Sequence, residues 1–124
     1  MNRAQWQQLI SEMYGVSPDY PWAKYPSYAV FRHTGNRKWF ALFADVPKEK
    51  LGLSGKESLD VLNVKCDPLL IGSLRKEAGF FPAYHMNKAS WISIALDGTV
   101  SDETIQRLLD LSYTLTGKKE DRYA

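Results

Sequence analysis

Trp6, Leu9, Ile10 and Met13 recur at helical spacing in an otherwise polar stretch, which predicts a helix with one buried stripe. Asn2 is placed to cap it, Gln5 follows three residues later as in a capping box, and Gly15 is placed to close it. The stretch "VSPDYPWAKYPS" carries three prolines, which exclude a helix and make an extended cover over some other element. "YAVFRHT" and "RKWFALFADV" then flank Gly35-Asn36, a two-residue hairpin signal, and Pro47 ends the second arm. "KEKLGLSGKE" (48–57) reads as a polar loop, and "SLDVLNVKC" as a third strand with Leu62 and Val64 on one side.

Asp67-Pro68 starts a second helix, with the aspartate as cap and the proline at the first helical position. Leu70, Ile71 and Leu74 form its stripe, and it is expected to stop near Gly79. "FPAYHMN" (81–87) and "SWISIAL" read as two further strands around a short turn near Asn87-Lys88. Asp97-Gly98 makes a turn, Ser101 caps a last helix buried through Ile105, Leu108, Leu109 and Tyr113, and Gly117 ends it. The order α-β3-α-β2-α, with tight turns between neighbouring strands, implies a mostly antiparallel five-stranded sheet. Helices must cover that sheet to bury their stripes, so the fold class is α+β, a two-layer sandwich. Residues 1–118 are expected to form one domain, and the charged tail 119–124 to fray.

At 44% hydrophobic residues the composition is that of a globular chain. Four Trp, seven Tyr and five Phe are a large aromatic share, most of it expected in the core. A single cysteine, Cys66, excludes an internal disulfide and suits a reducing compartment. No apolar segment reads as a signal peptide or membrane span, so the expected location is cytoplasmic, with no membrane partner. Net charge is only +2, yet residues 24–92 hold 11 Lys/Arg against six Asp/Glu, so the positive excess sits mid-chain.

Candidate chemistry is sparse. A nucleophilic cysteine needs an adjacent base and a lowered pKa, whereas Cys66 closes an apolar strand, where a buried inert thiol is the ordinary reading. The two histidines stand 52 positions apart without metal-ligand spacing around either, and "GLSG" lacks the Lys-Ser/Thr that completes a phosphate loop. No catalytic set, metal site or cofactor is therefore expected. The hairpin tip "RHTGNRKW" gathers Arg32, His33, Arg37 and Lys38 beside Trp39, with His33 expected at the sheet surface or hairpin rim. Such a tip suits phosphate contact, but a solvated hairpin edge guarded by charge is the commoner arrangement and the one the residues favour by themselves. In "AYHMNKASW", His85, Asn87 and Lys88 set mixed donors beside Trp91, suited to an anion or a base edge, or simply to an exposed turn.

"YAVFRHTGNRKWFALF", "LNVKCDP", "PAYHMNKASWISIALDGTVSD" and "LLDLSYTLT" together resemble the MmcQ/YjbR family, from about residue 3 to 118. The pattern "HMNK..W....LDG" is the most specific part of that likeness. The resemblance implies a CyaY-like, secretion-chaperone-like α-β3-α-β2-α fold, in agreement with the order read from the residues. It implies DNA binding through paired wing-like projections of the sheet, and brings no catalytic residues. One wing would be the hairpin around Gly35-Asn36, the other the Asn87-Lys88 turn or the 48–57 loop. DNA contacts would then fall to Arg32, Arg37, Lys38, His85, Asn87 and Lys88. The alternatives are a protein- or peptide-binding module and a small-molecule or anion pocket near His85.

Overall fold

The computed structural model describes residues 1–117, so the tail at 119–124 lies outside the described residues. Helix α1 (Arg3–Tyr14) leads to strands β1 (Ala29–Arg32) and β2 (Trp39–Pro47), a short 3₁₀ turn at Lys48–Leu51, and β3 (Ser58–Lys65). Helix α2 (Pro68–Leu74), strands β4 (Phe80–Pro82) and β5 (Trp91–Ala95), and helix α3 (Asp102–Thr116) complete the order. The strands lie β1-β2-β3-β5-β4, and every adjacent pair is antiparallel. The β3–α2–β4 crossover leaves a gap one strand wide, and β5 returns into it.

Alternation along the strands sorts the side chains into two apolar layers. Phe31, Ala41, Phe43, Leu62, Val64, Ile92 and Ile94 face one way and pack against Trp6 and Ile10 of α1, Ile71 and Leu74 of α2, and Ile105, Leu108 and Leu109 of α3. Val30, Leu42, Ala44, Val46 and Val61 face the other way, where among the described residues no α-helix lies and Tyr28, Trp22, Trp39, Tyr84, Met86 and Leu51 of the 3₁₀ turn cover them. The helices therefore form one layer, and irregular aromatic chain covers the far side of the sheet.

The end signals act as read: Asn2 and Gln5 form a capping box, Gly15 closes α1 in the left-handed region, and Asp67 and Ser101 cap α2 and α3. Four local readings are corrected. Met13 is exposed, because Tyr14 turns inward instead, stacks on Tyr113 at 4.3 Å and hydrogen-bonds Asp110. Helix α2 ends at Leu74 rather than near Gly79, since Arg75, Lys76 and Glu77 offer nothing apolar to bury. The amides of Lys76 and Glu77 tighten onto Ser73 and Leu74 instead. The strand expected over 81–87 stops at Pro82, where pairing with Ile92 is the last rung and the chain leaves the edge. The hairpin is wider than a two-residue turn: His33 pairs with Lys38, the Arg37 amide returns to the His33 carbonyl, and Arg37, not Gly35 or Asn36, has a positive φ of 65°.

Candidate functional site

At the hairpin, β1 and β2 slip register by one residue, with Phe31 opposite Ala41 but Arg32 opposite Trp39. The extra residue, Phe40, is a bulge that joins the helix-side core and swings Trp39 to the other face. There the Arg32 guanidinium lies 5.6 Å from the Trp39 ring and pairs with Asp19 at 3.0 Å. Arg37 reaches the same carboxylate only at 3.9 Å and stays exposed, as does Lys38. His33 is not at the rim as expected. It is buried against Phe40 and Tyr113, with Nε2 2.8 Å from the Thr116 hydroxyl. Asn36 Nδ2 donates to the Thr116 carbonyl, so the tip is moored to the end of α3.

The proline-rich segment is more than a cover. Its Asp19 bridges to Val30 by two 2.8 Å backbone bonds. Two successive turns follow, Tyr25 N to Trp22 O and Tyr28 N to Tyr25 O. Ring contacts and a shared concavity place Trp22, Tyr25 and Tyr28 on one side. The rings run on as a band: Trp39 to Trp22 at 5.5 Å, Trp22 to Tyr28 at 5.9 Å, Tyr28 to Tyr25 at 4.7 Å, Tyr25 to His85 at 5.8 Å, and His85 to Tyr84 at 4.1 Å. The reading of single residues missed this set, and the W-x-x-Y-x-x-Y period was its signal.

The 83–90 corner supplies the other end of the band. Its strands place it at the same end of the sheet as the hairpin, since Trp91 pairs with Lys65 and Val64 with Ala41. The 48–57 loop leaves from the opposite end, where Pro47 faces Ser58. The corner folds back over the sheet rather than projecting. The Tyr84 amide donates to Ser93 Oγ at 3.0 Å, and that hydroxyl donates to Asn63 Oδ1 in the buried centre of the face. Asn87 closes the turn: its side-chain oxygen accepts from the Ala89 amide and its carbonyl from Trp91. His85 adopts a φ of 60°, and with Arg37 it is one of two non-glycine residues in the left-handed region among the described residues.

Three concavities adjoin on this face. One of about 220 Å³ lies between Trp22, Tyr25, Tyr28, Leu42 and His85. A second, of about 450 Å³, runs past Lys24, Tyr25, Tyr28, Asp45 and Tyr84. A third, of about 390 Å³, is lined by Lys50, Leu51, Pro82, Ala83, Tyr84 and Lys88. Lys24, Lys50 and Lys88 are exposed, and none forms an ion pair among the described residues. Burial, aided by Tyr84, Asp45 and Tyr25, pushes the Tyr28 phenol up to about 12, so it remains a neutral donor across the physiological range. Of the six expected contacts, Arg37 and Lys38 sit at one end of the band and His85 and Lys88 at the other. Arg32 is engaged by Asp19 and Trp39, and Asn87 by its own turn.

Cys66 lies apart from this face, on the helix side, and burial raises its thiol pKa. Among the described residues no three His, Cys, Asp or Glu side chains gather as metal ligands, and no helix is long and apolar enough to cross a membrane.

A family model described as YjbR matches residues 11–115. YyaQ of Bacillus subtilis (strain 168), described as an uncharacterised protein, is 49% identical over 107 residues, 86% of this chain and 91% of that protein. YjbR of Escherichia coli (strain K12), also described as uncharacterised, is 36% identical over 58 residues, 46% of this chain and 49% of its own. Among solved structures, a Pseudomonas syringae protein superposes with a TM-score of 0.92 at 47% identity, covering 94% of this chain and all (100%) of that one. A Deinococcus radiodurans protein with a DUF419 domain superposes at 0.72 and 26% identity, covering 96% and 80%.

Proposed function

The chain belongs to the YjbR family, and from that premise we propose that it binds DNA through the helix-free face of its sheet. The observation that carries this reading is the aromatic band with exposed cations at both ends. Arg37, only distantly paired with Asp19, and Lys38 stand beside Trp39, and Lys24, Lys50 and Lys88 line grooves that share Tyr84. Lysine and arginine neutralise phosphates and release counterions, while exposed rings offer faces on which bases stack. The reading differs from two projecting wings. The hairpin tip is one arm, held rigid by Thr116, and the corner is a flap over the sheet. With a net charge of +2, attraction is local to this face rather than a property of the whole surface.

The test is a fluorescence-polarisation titration with labelled duplex and single-stranded DNA at two salt concentrations. The expected result is saturable binding that weakens as salt rises, with a log–log slope of about 0.7–0.9 per phosphate engaged. Absence of binding to either form at low salt would sink the proposal. The cavity beside His85 favours a second reading, capture of a small planar ligand. Binding of a free nucleotide as tightly as a strand would support that one instead.

A further inference from the structure

Phosphate contact gives no role to the cavity between Trp22, Tyr25, Tyr28, Leu42 and His85. We infer that this cavity holds one unpaired base of a DNA strand, so that the face takes single-stranded rather than duplex DNA. The inference rests on the DNA-binding reading above and names the form of DNA it requires.

The geometry suits a flat ring. Trp22 stands at 78° to Tyr28, while Tyr25 and Tyr28 lie parallel within 13°. A planar guest flat against one wall therefore presents its edge to the other, an arrangement that aromatic quadrupoles favour. Leu42, from the middle of β2, supplies the apolar contact within the sheet. The volume, about 220 Å³, is below the roughly 300–1,000 Å³ usual for drug-sized ligands and suits a single ring system.

Polar atoms stand ready at the walls. Among the described residues, the His85 imidazole and the Tyr25 and Tyr28 hydroxyls make no hydrogen bond, and a base edge carries both donors and acceptors. The charges lie where a backbone would pass. Lys24 borders the groove that shares Tyr25 and Tyr28 with the cavity, and Lys50 and Lys88 border the groove beyond Tyr84. Asp45 also lines the middle groove, where the Ser27 hydroxyl donates to its carboxylate. A base in a duplex has both faces covered by its neighbours, and only an unstacked base can enter a pocket walled by rings.

The experiment compares a single strand of thymidine nucleotides, a duplex of equal length and free thymidine monophosphate, each titrated against the full chain at two salt concentrations. Two variants probe the cavity through its exposed residues. Tyr25→Ala removes a wall, and His85→Asn removes a ring while tolerating the positive φ. Lys24→Ala with Lys88→Ala probes the backbone path. The inference expects the strand to bind at least about tenfold tighter than the duplex. Each ring variant should weaken strand binding about 5- to 100-fold at unchanged salt slope while remaining fully folded at the titration temperature, as its melting curve would show, whereas the lysine variant should flatten the slope. Equal affinity for duplex and strand, or ring variants that bind normally, would overturn the base pocket and leave DNA binding standing. Monophosphate binding as tight as the strand would overturn it in favour of a free small ligand. No binding of any DNA would remove the underlying reading itself.

Discussion

At the scale of single residues, buried groups distinguish structural roles from chemical ones. Cys66 sits in the helix-side core with its thiol pKa raised by burial, so little thiolate exists at neutral pH. It should resist iodoacetamide in the native protein and react quickly once urea unfolds the chain, which mass spectrometry of timed aliquots would record. The raised value also has a sign for stability: the contribution is present below the unfolded thiol's pKa and lost as pH climbs through the folded one. Ser93 is a polar residue whose loss should be costly. Its hydroxyl accepts from the Tyr84 amide and donates to buried Asn63. Ser93→Ala leaves both groups without that partner and should destabilise by about 1–3 kcal/mol in urea titration, with faster hydrogen exchange at Tyr84. Neither link was legible from residue types, because a serine in a strand declares neither its face nor its partner.

At the scale of elements, caps and turns were legible and lengths were not. Asn2, Asp67 and Ser101 cap as read, because a capping side chain bonds an amide two or three residues away and needs no tertiary context. The ends of α2 and β4 depend on what remains to be buried, and that is decided by neighbouring elements. Gly79 illustrates this. It adopts a φ of 90°, and a Cβ there would lie 2.6 Å from a Val100 methyl. Gly79→Ala combines left-handed strain with overpacking and should cost about 2–4 kcal/mol, read from chemical denaturation. The Asp97 turn into α3 carries a pH signature. The Thr99 hydroxyl and amide hold its carboxyl below the usual carboxylate range. Its contribution is therefore present above the unfolded carboxyl's pKa and disappears as pH falls through the folded value. Asp97→Ala should lower the melting temperature near neutrality and converge with the unaltered protein in acid, in melts taken across pH.

At the scale of the whole molecule, two loops from distant parts of the chain meet over one sheet face. Arg37 and Lys38 lie outside the cavity and belong to the hairpin tip that Thr116 anchors. If the proposed DNA binding holds, changing both to Ala should weaken it and reduce the salt slope by about 1.4–1.8 units, as titrations at several salt concentrations would measure, while the melting temperature stays put. Arg32→Ala should behave differently, lowering stability by roughly 0.5–1 kcal/mol through its cation–π contact with Trp39 as well as through its pairing with Asp19. Helix stripes, strand alternation, caps and the α-β3-α-β2-α order follow from local chemistry, where a side chain's neighbours are set by periodicity and by bonds two to four residues long. The family likeness was legible for the same reason, in motifs of contiguous residues. Tertiary structure alone decided that Phe40 bulges and sends Trp39 to the other face, that His33 is buried against α3, and that the corner lies flat. It also carried Trp22, Tyr25 and Tyr28 across to His85. Those outcomes depend on register and on which polar groups find partners across the sheet, such as Ser93 with Asn63, and no local pattern specifies a contact such as that of Tyr25 with His85, about 60 residues away.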